Sequence, residues 1–356
     1  MTTAAYINRI ATSVPEHDIH EAFVRFARES LENPSDRAVF DRMANRAHID
    51  HRYSVLRANE EPHATSLDDR GLYERGAFPS TAERMKRYER HAPELAATAL
   101  EKLALGGEIA WVTHLIITSC TGFYAPGLDH AIVRQLGLRK SVERTIVGFM
   151  GCSAGVNALK LARHVVLSEP RSRVLIVNLE LCTLHLQAAV DLETMLSFLL
   201  FSDGCAATLV SSDPVGLAMD SFYATTIQNT EDLITWHIGD AGFEMHLSGR
   251  VPNAIAGALD SEAFSILGGT PPGEIARWAV HPGGRSVLEG VERGLGLDAL
   301  ALATSRDVLQ QYGNMSSATL SFVLDSVMLD ASRGERGCAL AFGPGLCAET
   351  MLFHKV

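Results

Sequence analysis

The chain has 356 residues, 47% hydrophobic and 21% charged, which excludes a disordered polypeptide and leaves room for one large or two medium domains with a full core. Its formal charge of −11 argues against general nucleic-acid binding. The N-terminus carries no apolar signal core and no uncharged apolar run reaches ~18 residues, so a cytoplasmic protein is expected.

Residues 15–105 are rich in charge and helix formers and only weakly periodic. HLIITSC (His114–Cys120) reads as a buried strand entering the Gly/Pro turn TGFYAPG, and RTIVGFM (Arg144–Met150) as a second buried strand. A helix from about Ser153, with Val156, Leu159, Leu161, Val165 and Val166 as its apolar positions, is expected to stop before Pro170. RVLIVNLE and CAATLVSS are further apolar strands. ARWAVHPGG is a strand running into a tight turn. GNMSSATLSFVLDSVML is a Gly-led turn into a helix, and CALAFGPG and AETMLFH close the chain as strands. Strands alternating with helices predict a layered α/β fold. Gly151-Cys152-Ser153-Ala154 and Gly313-Asn314-Met315-Ser316 share one layout: a glycine, a candidate polar group, small residues, then an apolar helix. Read as more than coincidence, the likeness predicts two similar halves, 1–218 and 219–356, whose helix starts face one site.

The chemistry turns on a few positions. None of the six cysteines forms a C-x-x-C pair, and no metal-binding constellation is visible. Gly151–Gly155 fits the G-x-S-x-G elbow of a serine hydrolase, with Ser153 as nucleophile and His281 downstream. The same stretch reads as a cysteine nucleophile, Cys152, at a helix start where the helix N-terminus and a histidine would lower its pKa. An HGGG-type loop should precede a hydrolase serine; here HPGG follows it. His281 and Asn314 each have a plain alternative, a hydrogen-bonded structural histidine and a helix N-cap. GPGLCA fits G-x-G-x-x-A, but only eight residues follow Ala348, too few for a dinucleotide-binding βαβ unit.

With Cys152, His281 and Asn314 taken together, the segments GCSAG, LFSDGCAATLVSSDP, HPGG, YGNMSSAT and AFGPGL stand in the order and spacing of one family. The chain resembles the type III polyketide synthases, the chalcone and stilbene synthase family. The resemblance covers nearly the whole chain and is weakest over the first hundred residues. It implies a thiolase-like fold with a five-layer αβαβα core, acting as a homodimer. It implies Cys152 as the nucleophile that carries the growing acyl chain, with His281 and Asn314 completing the triad. Phe201 matches the phenylalanine beside the tunnel mouth, and Met245 stands where the second gatekeeper aromatic is expected. Gly343, Pro344 and Gly345 match the loop that scaffolds the cyclisation chamber. Cys120, His185, Trp236 and Met245 match chamber-lining positions. The bulk of His185 and Trp236 predicts few extensions and a small pyrone, resorcinol or phloroglucinol product. Arg46, His51 and Arg52 fall in the region that contacts coenzyme A. No cofactor is implied beyond the substrates, an acyl-CoA starter and malonyl-CoA. Two rivals share the triad or the binding chemistry: a β-ketoacyl-acyl-carrier-protein synthase III-like enzyme and a non-catalytic acyl-CoA-binding homologue.

Overall fold

The computed structural model describes residues 3–61, 63–188 and 191–356. Up to residue 211 the chain runs β1 (Tyr6–Ser13), β2 (His17–Asp18), α1 (His20–Ser30), α2 (Pro34–Ala47), β3 (Tyr53–Ser54), α3 (Thr81–Leu103), β4 (His114–Ser119), α4 (Leu128–Leu136), β5 (Glu143–Gly148), α5 (Ala154–Ser168), β6 (Val174–Leu181), α6 (Leu192–Phe198) and β7 (Asp203–Ser211). From residue 217 it runs β8 (Leu217–Thr226), β9 (Ile234–Gly239), β10 (Gly242–Leu247), α7 (Val251–Ile266), β11 (Arg277–Val280), α8 (Arg285–Leu295), α9 (Ala303–Tyr312), α10 (Thr319–Asp330), β12 (Arg336–Gly343) and β13 (Cys347–Lys355).

Nine strands connect in the order β11-β12-β13-β8-β1-β7-β6-β4-β5. β4 lies parallel to β5 and β6, and β11 parallel to β12; the other neighbours are antiparallel. The join between β1 and β8 rests on two residue pairs, Tyr6↔Ala218 and Ile7↔Leu217, so the strands behave as two sheets hinged at one edge.

Strand alternation sorts the core into layers. Leu115, Ile117, Leu175 and Val177 point outward and pack with Tyr88, Leu95 and Ala99 of α3. Their neighbours Ile116, Val174 and Ile176 point inward. There they meet Val156 and Leu159 of α5, and Leu320 and Val323 of α10. Ala279, Ala339 and Met351 of the second sheet close the same inner layer from the other side. On the far face, Trp278, Val280 and Leu340 pack under Ile255, Leu259, Leu288 and Val291 of α7 and α8. The result is the expected helix–sheet–helix–sheet–helix stack. α10 is enclosed by both sheets, and every residue from Thr319 to Leu324 is buried.

Both buried helices begin in a 3-10 turn, Gly151–Ser153 before α5 and Ser316–Ala318 before α10. Gly151 has φ of 57°, and a Cβ there would sit 2.4 Å from Cδ of Pro344. The nucleophile turn and the FGPGL loop can therefore touch only through glycine. The hairpin β9–β10, absent from the sequence reading, sets Trp236 directly opposite Met245. Among the described residues no helix is long and apolar enough to cross a membrane.

Candidate active site

A cavity of about 70 Å³ receives side chains from both sheets and from the β9–β10 hairpin. Cys152, His281 and Asn314 line it together. Each arrives by a different device. His281 follows the last residue of β11, and its N–H donates to the Leu340 carbonyl at 2.8 Å, which extends the register with β12 by one residue. Its ring is buried and neither nitrogen has a hydrogen-bond partner. Burial alone pushes the imidazole down to about 3. A neutral imidazole with both nitrogens free offers one N–H and one lone pair to whatever enters.

Asn314 is tied by its backbone: its N–H donates to the Leu200 carbonyl at 2.8 Å, and its carbonyl accepts from Ser202 N–H at 2.9 Å. This short bridge fixes Phe201 beside it. Oδ1 accepts from the Ser316 N–H at 2.8 Å, which sets the amide orientation. Nδ2 donates to the Gly283 carbonyl at 3.2 Å, leaving its second hydrogen for the cavity.

Cys152 Sγ lies 3.9 Å from Ser316 Oγ. The expectation that the helix start lowers its pKa is not met. Burial outweighs the Ser316 and Asn314 hydrogen bonds and pushes the thiol up to about 12. Thiol and imidazole are thus each held neutral when considered singly. Moving one proton from Cys152 to His281 charges both while leaving the pocket's net charge unchanged. Ser153 takes no part in the cavity wall. Its Oγ donates to the Met150 carbonyl at 2.8 Å and lies 2.4 Å from where a Cβ on Gly343 would stand, so the hydrolase elbow is filled by packing.

Behind the cavity stand two buried carboxylates. Glu180 accepts from Cys120 N–H at 2.9 Å, Thr121 Oγ1 at 2.8 Å and Ser317 Oγ, and burial pushes it up to about 7. Asp203 accepts from Thr183 N–H at 2.8 Å and Val55 N–H at 2.9 Å, and burial pushes it up to about 6.

Of the chamber residues expected from sequence, Cys120, Phe201, Trp236, Met245, Gly343 and Pro344 line the cavity. Trp236 is pinned: its indole N–H donates to the Cys120 carbonyl at 2.7 Å. His185 and Gly345 do not line it. His185 lies behind Trp236, stacked on Phe243 at 4.3 Å, with Nε2–H donating to the Thr121 carbonyl at 2.7 Å and Nδ1 accepting from Phe243 N–H at 3.0 Å. Both ring nitrogens are consumed, and burial pushes this imidazole down to about 3. Gly345 serves the turn of the FGPGL loop with φ of 70°. Cys182, Phe198 and Ser316 line the cavity and were missed. Ser316 stood two residues beyond Asn314 in a quoted motif, whereas nothing local marks Cys182.

The three residues expected to contact coenzyme A divide. Arg46 is exposed at the end of α2, where Arg285 reaches its carbonyl at 3.3 Å and His48 Nε2 at 2.8 Å. His51 is half-exposed, with Nδ1 2.7 Å from Asp18 Oδ2. Arg52 is a correction: it is 2% exposed, and its guanidinium donates to the carbonyls of Phe198 at 2.7 Å and Phe201 at 3.0 Å. It braces the Phe201 segment and cannot reach a phosphate in solvent.

Comparison with known proteins agrees over the full length. The family models for the N-terminal and C-terminal domains of chalcone and stilbene synthases match residues 4–214 and 218–356. The alpha-pyrone synthesis polyketide synthase-like Pks18 of Mycobacterium tuberculosis is 34% identical over 373 positions, covering 100% of this chain and 92% of that protein. Among solved structures, the type III polyketide synthase domain of Steely1 from Dictyostelium superposes with a TM-score of 0.89 at 25% identity, covering 99% of each chain. The 1,3,6,8-tetrahydroxynaphthalene synthase of Streptomyces coelicolor gives 0.87 at 26% identity, covering 98% of this chain and 99% of that one. The fold, the cavity and these matches across both stretches place the chain in the chalcone and stilbene synthase family, as a type III polyketide synthase, an acyltransferase-type condensing enzyme that uses malonyl-CoA.

Proposed function

We propose that Cys152 is the nucleophile, that His281 and Asn314 are its oxyanion donors, and that the product is a small pyrone. The observation that supports this most is the convergence of the three side chains on one cavity from which Ser153 is turned away. Cys152 transfers its proton to His281, and the thiolate attacks the thioester of the starter. Coenzyme A leaves as a thiol, taking the proton, and the acyl group rests on sulfur, still activated for the next step. Malonyl-CoA then loses carbon dioxide. Negative charge gathers on its thioester oxygen, where the His281 N–H and the free Asn314 N–H can both donate. Two neutral donors stabilise that oxyanion without quenching the carbanion that attacks the acyl-cysteine. Condensation returns the thiolate, and the lengthened chain is recaptured for another round.

Arg46 and Arg285 offer guanidinium groups for the coenzyme A phosphates, with His48 Nε2 accepting from Arg285. Val287, two residues beyond Arg285, lines the cavity, which supports an entry at this rim. A small cavity with Trp236 pinned across it favours a short starter and few extensions, in keeping with the α-pyrone in the name of the mycobacterial relative.

Two units, 1–218 and 219–356, assemble this site. A cytoplasmic homodimer is the working form of the reading. Strand β5 is an open sheet edge, and Phe123, Ile146 and Met150 around it are 39%, 46% and 40% exposed. Such an edge invites pairing unless a second copy covers it.

The test is product analysis by mass spectrometry, with a panel of acyl-CoA starters and free malonyl-CoA. Pyrones are expected without any carrier protein; a strict need for one would overturn the assignment. Trp236→Gly should lengthen the product by at least one malonyl unit or admit a bulkier starter. An unchanged profile in the folded variant would remove Trp236 from that role.

A further inference from the structure

A second cavity, of about 220 Å³, shares no lining residue with the first. It lies between His17 of β2, the segments 55–57 and 68–70, and one face of α3, where Arg87 and His91 stand one turn apart. In a chain of net charge −11 it is lined by three arginines, Arg57, Arg70 and Arg87, and by two histidines; the Arg57 side chain is 72% exposed and the Arg87 side chain 23%. Two carboxylates face them. Asp68 is buried and occupied by its own loop, accepting from the N–H groups of Arg70 at 3.0 Å, Leu72 at 3.1 Å and Tyr73 at 2.9 Å. Asp69 is 4.0 Å from Arg57 Nε, outside hydrogen-bond range.

Arg87 points to what is missing. Its Nε is buried without a hydrogen-bond partner, and the nearest carboxylate, Glu83, stands 3.8 Å away. A guanidinium N–H held out of water without an acceptor is unfavourable, and it is answered best by a carboxylate or phosphate oxygen. A planar carboxylate is satisfied by one guanidinium fork. Three arginines on separate segments suit a tetrahedral oxyanion better. His91 has Nδ1 at 3.2 Å from Glu94, which leaves Nε2 free. Val55 and Leu56 supply an apolar wall, and the volume exceeds what one oxyanion fills.

We propose that this cavity binds a phosphate monoester, with the phosphate held by Arg57, Arg70 and Arg87 and a small organic part against Val55 and Leu56. Two sources share that chemistry: a free small phosphate ester and the 3′-phosphate of coenzyme A.

The experiment is thermal melting of the full chain at fixed ionic strength. Inorganic phosphate and glycerol phosphate at saturating concentration should raise the melting temperature by about 2–4 °C or more over matched chloride. Arg87→Met and Arg70→Gln should each lose that gain, while Arg285→Gln, at the catalytic rim, keeps it. Where the ligand is a free ester, Arg87→Met should leave phosphate-free malonyl-CoA turnover within about twofold, since the two cavities share no residue; where it is the 3′-phosphate of coenzyme A, the variant should raise the KM for malonyl-CoA and leave kcat within about twofold. A difference between coenzyme A and dephospho-coenzyme A that vanishes in Arg87→Met would assign the source to coenzyme A; a difference that persists would assign it to free esters. The proposal is overturned if phosphate does no more than chloride, or if both cavity variants retain the gain.

Discussion

The entries to α5 and α10 each carry a glycine of positive φ, Gly151 at 57° opening its 3-10 turn and Gly313 at 68° ahead of the turn at Ser316–Ala318. Their polar side chains are treated in opposite ways. Cys152 Sγ has only weak side-chain contacts, with Ser316 Oγ at 3.9 Å and with Asn314. Asn314 is held through its N–H, its carbonyl, Oδ1 and Nδ2. An atom that must form and break a covalent bond needs freedom, whereas a dipole that stabilises developing charge needs a fixed direction. The same backbone entry serves both tasks, depending on whether the side chain is anchored.

The sharpest way to break this comparison is to exchange which side chain matters at the first turn. Cys152→Ala should abolish polyketide formation and Ser153→Ala should leave most of it; the reverse pattern, read by product yield, would return the site to a serine nucleophile. Next in size, His281→Ala and Asn314→Ala should each slow malonyl-CoA decarboxylation by about 10²-fold or more. Acyl loading should suffer less in Asn314→Ala, and wild-type carbon dioxide release there would show that the anchored amide is no donor.

The coupling between thiol and imidazole has its own readout. In the wild type, iodoacetamide should modify Cys152 ahead of the other cysteines. In His281→Ala the lone thiol, pushed up to about 12 by burial, should react about 10²-fold or more slowly at neutral pH and gain speed as pH rises. Equal labelling rates in the two proteins would mean that His281 does not share the thiol's proton. The smallest effect concerns the shared backbone. Gly151→Ala should lower stability by about 1–3 kcal/mol, because the new Cβ meets Pro344 at 2.4 Å in a left-handed conformation. Denaturant unfolding that matches the wild type would show that the turn relaxes freely.

The layered fold was legible because strand β4 and both buried helices are short and apolar, whereas RTIVGFM, expected as a second buried strand, is the exposed edge strand β5, with Ile146 46% exposed. Cys152, His281 and Asn314 were legible because each sits at the end of a short apolar element. Other parts were not. Trp236 and Met245 ride on a hairpin whose strands show no clean alternation of buried and exposed residues. His185 was expected in the chamber wall, but sequence cannot say that Phe243 and Thr121 take both of its nitrogens. Arg52 was expected at coenzyme A because its stretch resembles the family's coenzyme A-contact region, and only the fold reveals that its partners are carbonyls near residue 200. In each case the deciding contact is distant along the chain.

The four buried titratable groups around the site bear on how the folded protein exchanges protons with its buffer. Glu180 and Asp203 keep their protons up to about 7 and about 6. In the unfolded chain such acids ionise near ~4. Alone, they would make stability fall as pH rises from ~4 to 7. His185 and His281 stay neutral down to about 3, whereas unfolded imidazoles take up a proton near ~6.5. Alone, they would make stability fall as pH drops from ~6.5 to 3. Between roughly pH 4.5 and 6 the folded core carries two protons on its acids where the unfolded chain carries two on its imidazoles. Folding there moves protons from one residue type to another, so in that window these groups together leave stability nearly independent of pH, and below it the two imidazoles make stability fall.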